Sequence, residues 1–155
     1  MGAKKEPWHP DANRDPSLRL ATADDAAELA RLLSPLGYPL TAETVAARWE
    51  AWAAEGNFAL VVEGERSLLG AITLHRMIVL HRPRPVGRIT SLAVDPDARG
   101  RGLGSALVHA AEEALARAGC GLIEVTSHAR RTRAHDFYRR LAYEQTSFRF
   151  AKSLP

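Results

Sequence analysis

The stretch VDPDARGRGLGSALV, residues 94–108, sets three glycines and two arginines between an apolar run and a segment of helical periodicity. Glycine is costly at such a place, because it loses more conformational freedom on folding than any other residue. A strand and a helix must therefore meet here at a turn whose backbone has to be approached closely. The first turn of any helix leaves N–H groups without intrahelical partners, and the aligned peptide dipoles add partial positive charge. Gly100, Gly102 and Gly104 can aim those amides at one point, and Arg99 and Arg101 add full charges beside it. The result is the composition of a phosphate-binding nest.

The periodicity on either side gives that turn a setting. SLRLA (17–21) alternates as a short strand, and the next segment opens with Thr22 or Asp24 as cap and repeats Ala26, Leu29, Ala30 and Leu33 at helical spacing until Pro35 and Gly37. A second helix is expected from Thr41 to Glu55, closed by Gly56 and Asn57. FALVVEG and SLLGAITLHRMIVL read as strands joined by GER, and VGRITSLAV (86–94) as the next strand. From Gly102 to Ala118 the residues Leu103, Ala106, Leu107, Ala110, Ala111, Ala114 and Leu115 form one stripe, with Gly119 closing the helix. GLIEVTS (121–127) is expected as a strand and RTRAHDFYRRLA as a helix. QTSFRFAKSL is expected as a last strand, with Phe148 and Phe150 on one face and Arg149 on the other. The order β-α-α-β-β-β-α-β-α-β implies an α/β (α+β mixed) sheet. The 86–94 and 121–127 strands would be parallel neighbours joined by a right-handed crossover.

A chain of 155 residues is about one domain in size, expected over 17–155, with residues 1–16 as a flexible leader. The leader has no apolar segment after its basic start, and Glu6 stands where a myristoylation signal wants Ser or Thr, so a cytoplasmic protein is expected. No apolar stretch approaches the roughly 18 residues that span a bilayer, so no membrane partner is expected. Cys120 is the only cysteine, which excludes an internal disulfide and a multi-cysteine zinc site; between Ala118 and Leu122 it reads as core. No metal is expected. The net charge of +3 argues for neither nucleic acid nor membrane, although HARRTRAHDFYRR (128–140) holds five arginines against one aspartate. A nucleic-acid reading of that cluster lacks any groove-reading motif.

The phosphate-bearing ligand is narrowed by elimination and then by resemblance. GLGSAL lacks the lysine and following Ser or Thr of a nucleotide P-loop, and the G-x-G-x-x-G fingerprint fails from both Gly100 and Gly102. Arg99, Gly102 and Gly104 fit the pattern of Arg or Gln, two residues, Gly, one residue, then Gly or Ala. With it the stretch resembles the acetyl-coenzyme A loop of the GNAT superfamily of N-acetyltransferases. AHDFYRRLAY (134–143) is similar to that family's second signature. The resemblance implies a GNAT-like fold and transfer of an acetyl group from acetyl-CoA to an amine, with a small-molecule or peptide amine as partner and a homodimer left open.

It also implies roles. Backbone amides from Arg99 through Gly100, Arg101, Gly102, Leu103, Gly104 and Ser105 would hold the pyrophosphate, while Leu92, Ala93 and Val94 lie along the pantetheine as a strand would. Tyr138 would protonate the departing sulfur. Where relatives carry a carboxylate base on the strand before the loop, GRITSLAV has none, and His75, Glu124, His128 or water remain candidates. Ala142 stands where relatives usually have glycine. Arg131 stands near the place of a pantetheine-binding asparagine, so it or Arg133 is expected to meet coenzyme phosphate. Tyr38, Trp49 and Trp52 are candidate walls for the acceptor. An acyl-CoA-binding sensor module without catalysis is the alternative.

Overall fold

The computed structural model describes residues 17–155, and the leader expected over 1–16 lies outside the described residues. The chain divides into two units, one ending at Glu124 and the other running Val125–Pro155. The first unit opens with β1 (Leu18–Leu20), α1 (Ala26–Leu33) and α2 (Ala42–Ala54). Then come β2 (Asn57–Glu63), β3 (Leu68–Met77), β4 (Val86–Val94), α3 (Leu103–Arg117) and β5 (Leu122–Val125), whose last residue crosses the boundary. Thr41 caps α2, its Oγ1 accepting the Thr44 N–H at 3.2 Å. Gly37 and Gly56 follow α1 and α2 at φ +113° and +83°, as turn-forming glycines should.

The strands lie in the order β1-β2-β3-β4-β5. The first three ladders are antiparallel, pairing Arg19 with Val61, Leu60 with Ile72 and Ile72 with Leu92. Gly121 donates to the Pro85 carbonyl at 2.9 Å, and Glu124 meets Arg88, three residues further along both strands. β5 therefore runs parallel to β4 and makes the sheet mixed.

Each sheet face is covered by the helices whose apolar stripes match it. Val61 and Ala71 pack with Leu29 and Leu32 of α1, and Val45, Trp49 and Ala93 close around them. On the other face Leu107, Val108, Ala111, Ala114 and Leu115 of α3 are buried. Two glycines let α3 approach the strands. A Cβ at Gly70 would lie 3.0 Å from Leu107 Cδ1, and one at Gly87 would lie 2.5 Å from Leu115 Cδ1.

In the second unit α4 covers Thr132–Arg140 and closes on Ala142 at φ +63°. The last strand expected over 145–154 is not formed: the segment has no strand pairing, and Phe148 and Phe150 stand exposed. Its alternation fixes which side chains would share a face, but a strand also needs a ladder partner. Nor does β3 extend to Leu80 as SLLGAITLHRMIVL suggests. It stops at Met77, opposite Val86, because the return strand is preceded by Pro83 and Pro85, which have no N–H to give.

Candidate functional site

After Val94 the chain is fastened before it turns. The Asp95 N–H donates to Leu69 O at 2.9 Å, and Asp95 Oδ1 accepts the Asp97 N–H at 3.0 Å. Gly100 and Gly102 both take φ +78°, and a Cβ at either would meet nothing within 4 Å. Gly104, grouped with them by sequence, lies inside α3 without a positive φ. Gly102 is the N-cap of α3, with no side-chain cap and no acidic residue in the first turn. The first intrahelical bond there is Ala106 N–H to Gly102 O, 3.0 Å. The N–H groups of Leu103, Gly104 and Ser105 precede that bond, at the positive end of a helix of 15 residues. Arg99 stands beside them with its Nε donating to Val94 O at 3.2 Å, and the Arg101 Nη2 lies 3.5 Å from Asp97 O.

A second tether holds this turn from the opposite face of the sheet. Arg31 of α1 donates through Nη1 to Asp95 Oδ2 at 2.6 Å, through Nη2 to Leu68 O at 2.8 Å, and to Glu28 at 2.9 and 3.1 Å. The Arg31 guanidinium, helped by the Asp97 N–H, holds the Asp95 carboxyl below its usual range. Arg31 also lowers Glu28, which accepts the Leu68 N–H. No sequence pattern marks this anchor, because its partners are 37 and 64 residues apart.

The strand leading to the turn is irregular at its middle. Thr73 pairs with Ser91 but Leu74 pairs with Ile89, so Thr90 is a bulge residue in β4. Its Oγ1 donates to Thr73 O at 3.1 Å and lies 2.7 Å from Thr73 Oγ1, which also contacts Ser91 Oγ. β5 has four residues and begins beside Pro85, so it accompanies only the first half of the nine-residue β4. The backbone of Leu92, Ala93 and Val94 thus lies past the end of β5. The hydroxyl cluster was not among the expected site residues, and a bulge formed without glycine leaves no sequence signal.

The candidate bases are dispersed. His75 is two residues from Thr73 on the same face of β3, and it borders an open depression of about 690 Å³ with Gly56, Met77 and Leu80. Glu124 is engaged by Arg88, whose Nε and Nη2 both reach Oε1. His128 belongs to the second unit, where its Nδ1 accepts the Arg130 N–H at 3.2 Å. Of the aromatic wall candidates, Trp49 packs on the α1 core and sits 5.2 Å from Trp52, whereas Tyr38 is exposed. Cys120 is buried, and burial pushes its thiol up.

In the second unit Tyr138 is half-buried on α4, edge-on to Phe137 at 5.0 Å and to Tyr143 at 5.5 Å. Burial pushes its phenol up to about 12, so it carries its proton throughout the neutral range. Arg131 is the N-cap residue of α4, and its side chain is exposed.

Comparison with known proteins shows the family. Residues 24–143 match the profile of the acetyltransferase (GNAT) family. The chain is 41% identical over 87 residues to an aminoalkylphosphonate N-acetyltransferase of Salmonella typhimurium, and the match covers 56% of each chain. Among solved structures it resembles an acetyltransferase of Trypanosoma brucei at TM-score 0.78 and 25% identity, over 88% of this chain and 98% of that one. An acetyltransferase described in Agrobacterium tumefaciens is similar at TM-score 0.78 and 26% identity, over 89% and 99% of the two chains.

Proposed function

The chain belongs to the GNAT family of acetyltransferases, and on that premise we propose that it moves the acetyl group of acetyl-CoA directly onto a primary amine. The observation carrying this reading is the entrance of α3, where two left-handed glycines precede N–H groups with no side-chain cap and no acidic residue in the first turn. The space a Cβ would take at Gly100 and Gly102 is open, so a diphosphate can come within hydrogen-bond distance of the backbone. Arg99 and Arg101 add charge, and the edge of Leu92–Val94 past the end of β5 suits an extended pantetheine arm. By the same resemblance Arg131 meets coenzyme phosphate, and Tyr138, kept protonated by burial, returns a proton to the sulfur.

The acceptor is a small primary amine. The Salmonella relative's name makes an amine that also carries an acidic group the first compound to try. A module that binds acyl-CoA without catalysis is the second reading. It is favoured by one observation: β4 carries no carboxylate, and Glu124 is tied to Arg88.

Thermal shift separates these readings from the rest. Acetyl-CoA at about a hundred times its dissociation constant should stabilise the protein by ~2.7 kcal/mol, while ATP and NAD should not. Amine-dependent release of free thiol then distinguishes the enzyme from the sensor. Failure of acetyl-CoA to shift the melt overturns both.

A further inference from the structure

The missing carboxylate leaves the acceptor's proton without an evident destination, and the bulge in β4 supplies one. Thr73, Thr90 and Ser91 bring three hydroxyls into one connected group. The direction of their bonds follows from counting donors. Thr90 Oγ1 contacts a carbonyl, which only accepts, so its proton points to Thr73 O. Thr73 then donates to Thr90, and Ser91 to Thr73. This leaves the outward lone pairs of Ser91 Oγ as acceptors at one end of the chain. Ser91 is half-buried, Thr73 is 9% exposed and Thr90 opens to solvent, so the chain leads from Ser91 through a buried middle to water.

Its place along the strand matters as much as its polarity. This step rests on the proposed seating of acetyl-CoA along β4. Three residues lie between Val94 and Thr90, four strand steps or about 13 Å, which is the order of length of an extended pantetheine arm. An arm leaving the glycine turn and following Val94, Ala93 and Leu92 would present its thioester beside Ser91. The charged and titratable groups around this face are His75 on β3 and the Arg88–Glu124 pair across β4 and β5. On the helices packed against it are Glu28 and Arg31 of α1, paired with each other and Arg31 also with Asp95, and Arg48 and Glu50 of α2, followed by Glu55. None of the hydrogen bonds within the hydroxyl chain involves any of them.

We propose that Ser91, Thr73 and Thr90 carry the acceptor's proton from the reacting amine to solvent, in place of a carboxylate on β4. As the nitrogen bonds to the acetyl carbon, its N–H bond breaks and Ser91 Oγ takes the proton. Ser91 passes its own to Thr73, Thr73 to Thr90, and Thr90, turning away from the Thr73 carbonyl, to water. The C–S bond breaks with its electron pair on sulfur, which is protonated as in the reading above. Ser91 touches the amine; Thr73 and Thr90 act through it.

The test measures kcat/KM for amine against pH in the full chain, with acetyl-CoA and an aminoalkylphosphonate, an amino sugar and a polyamine as acceptors. Thr90→Val keeps shape at an exposed position and cuts the exit to water. Ser91→Ala removes the entry, and His75→Gln controls for the nearby imidazole. Thr90→Val should lower kcat/KM at neutral pH by at least about tenfold. The deficit should shrink at high pH, where hydroxide can take the N–H proton in place of the relay, and acetyl-CoA affinity should not change. Wild-type pH profiles in both Thr90→Val and Ser91→Ala would overturn the relay alone, as would a collapse confined to His75→Gln. A wild-type protein that binds acetyl-CoA yet releases no thiol with any of these amines removes the transferase reading and the relay with it.

Discussion

The helices α3 and α4 close with the same pair of hydrogen bonds, one on glycine and the other on alanine. At the end of α3, Gly119 N–H reaches Ala116 O at 2.9 Å and Cys120 N–H reaches Leu115 O at 3.0 Å. At the end of α4, Ala142 N–H reaches Arg139 O and Tyr143 N–H reaches Tyr138 O, both at 3.0 Å. Both are Schellman closures, which require a left-handed residue, here at φ +88° and +63°. The residue sealing the first is buried Cys120; the residue sealing the second lays its ring on Tyr138. The bodies differ as well, since five residues of α3 are buried and none of α4 is. A helix fixed by the sheet can end wherever its glycine stands. α4 depends more on its own turn, and the strained Ala142 is retained in a geometry that keeps Tyr143 against the proposed acid.

The largest effect that would test this contrast is in the bodies. Leu107 is fully buried, so Leu107→Ala should cost about 3 kcal/mol in urea unfolding, while Arg133→Ala on the exposed face of α4 should cost less than about 0.5 kcal/mol. Comparable losses would break the comparison. Next come the entrances: Gly102→Ala puts a methyl group where the diphosphate is proposed to lie, and calorimetry should show acetyl-CoA binding weakened by about tenfold, or ~1.4 kcal/mol. Unchanged affinity would separate the glycine turn from coenzyme binding.

The closures sharpen the comparison by sign. Gly119→Ala should destabilise by about 1 kcal/mol, whereas Ala142→Gly should stabilise by up to about 1 kcal/mol, both read from thermal melts. A loss in Ala142→Gly would mean that the methyl group contributes packing exceeding its strain. The smallest effect is the one read at the start of the alkaline range, at pH 10. Burial raises the folded-state value of Tyr138 from 10.0 to about 12, so the folded protein holds this proton more tightly than the unfolded chain. That contribution is complete below pH 10 and is lost as pH rises through about 12. At the lower value the loss is roughly 0.4 kcal/mol, and Tyr138→Phe should remove this slope from a stability-versus-pH series.

The closure of α3 is legible in the sequence, because helical periodicity stops at the right place and Gly119 follows; that of α4 is marked only by the resemblance, which puts a glycine where Ala142 stands. The β4 strand and the glycine turn are legible for the same reason: local pattern and local chemistry coincide there. What escapes is whatever depends on a distant partner. QTSFRFAKSL alternates as a strand does, yet alternation does not supply a neighbour. Thr73, Thr90 and Ser91 look like ordinary strand residues until the register slips. The same holds for Arg19, which binds Asp25 through two bonds of 2.8 Å and keeps that carboxyl low. Its sequence shows a short strand and a helix start, and nothing of the clamp between them.

Gly70 and Gly87 act as two low supports beneath α3, one under each half. A helix is stiff over this length, so its near end cannot be raised independently of its far end. Crowding Leu115 from below would tilt the whole rod and swing its opening amides away from wherever they were aimed. The accuracy of the proposed anion grip would therefore be governed partly by a hydrogen atom at position 87, under the opposite half of the helix.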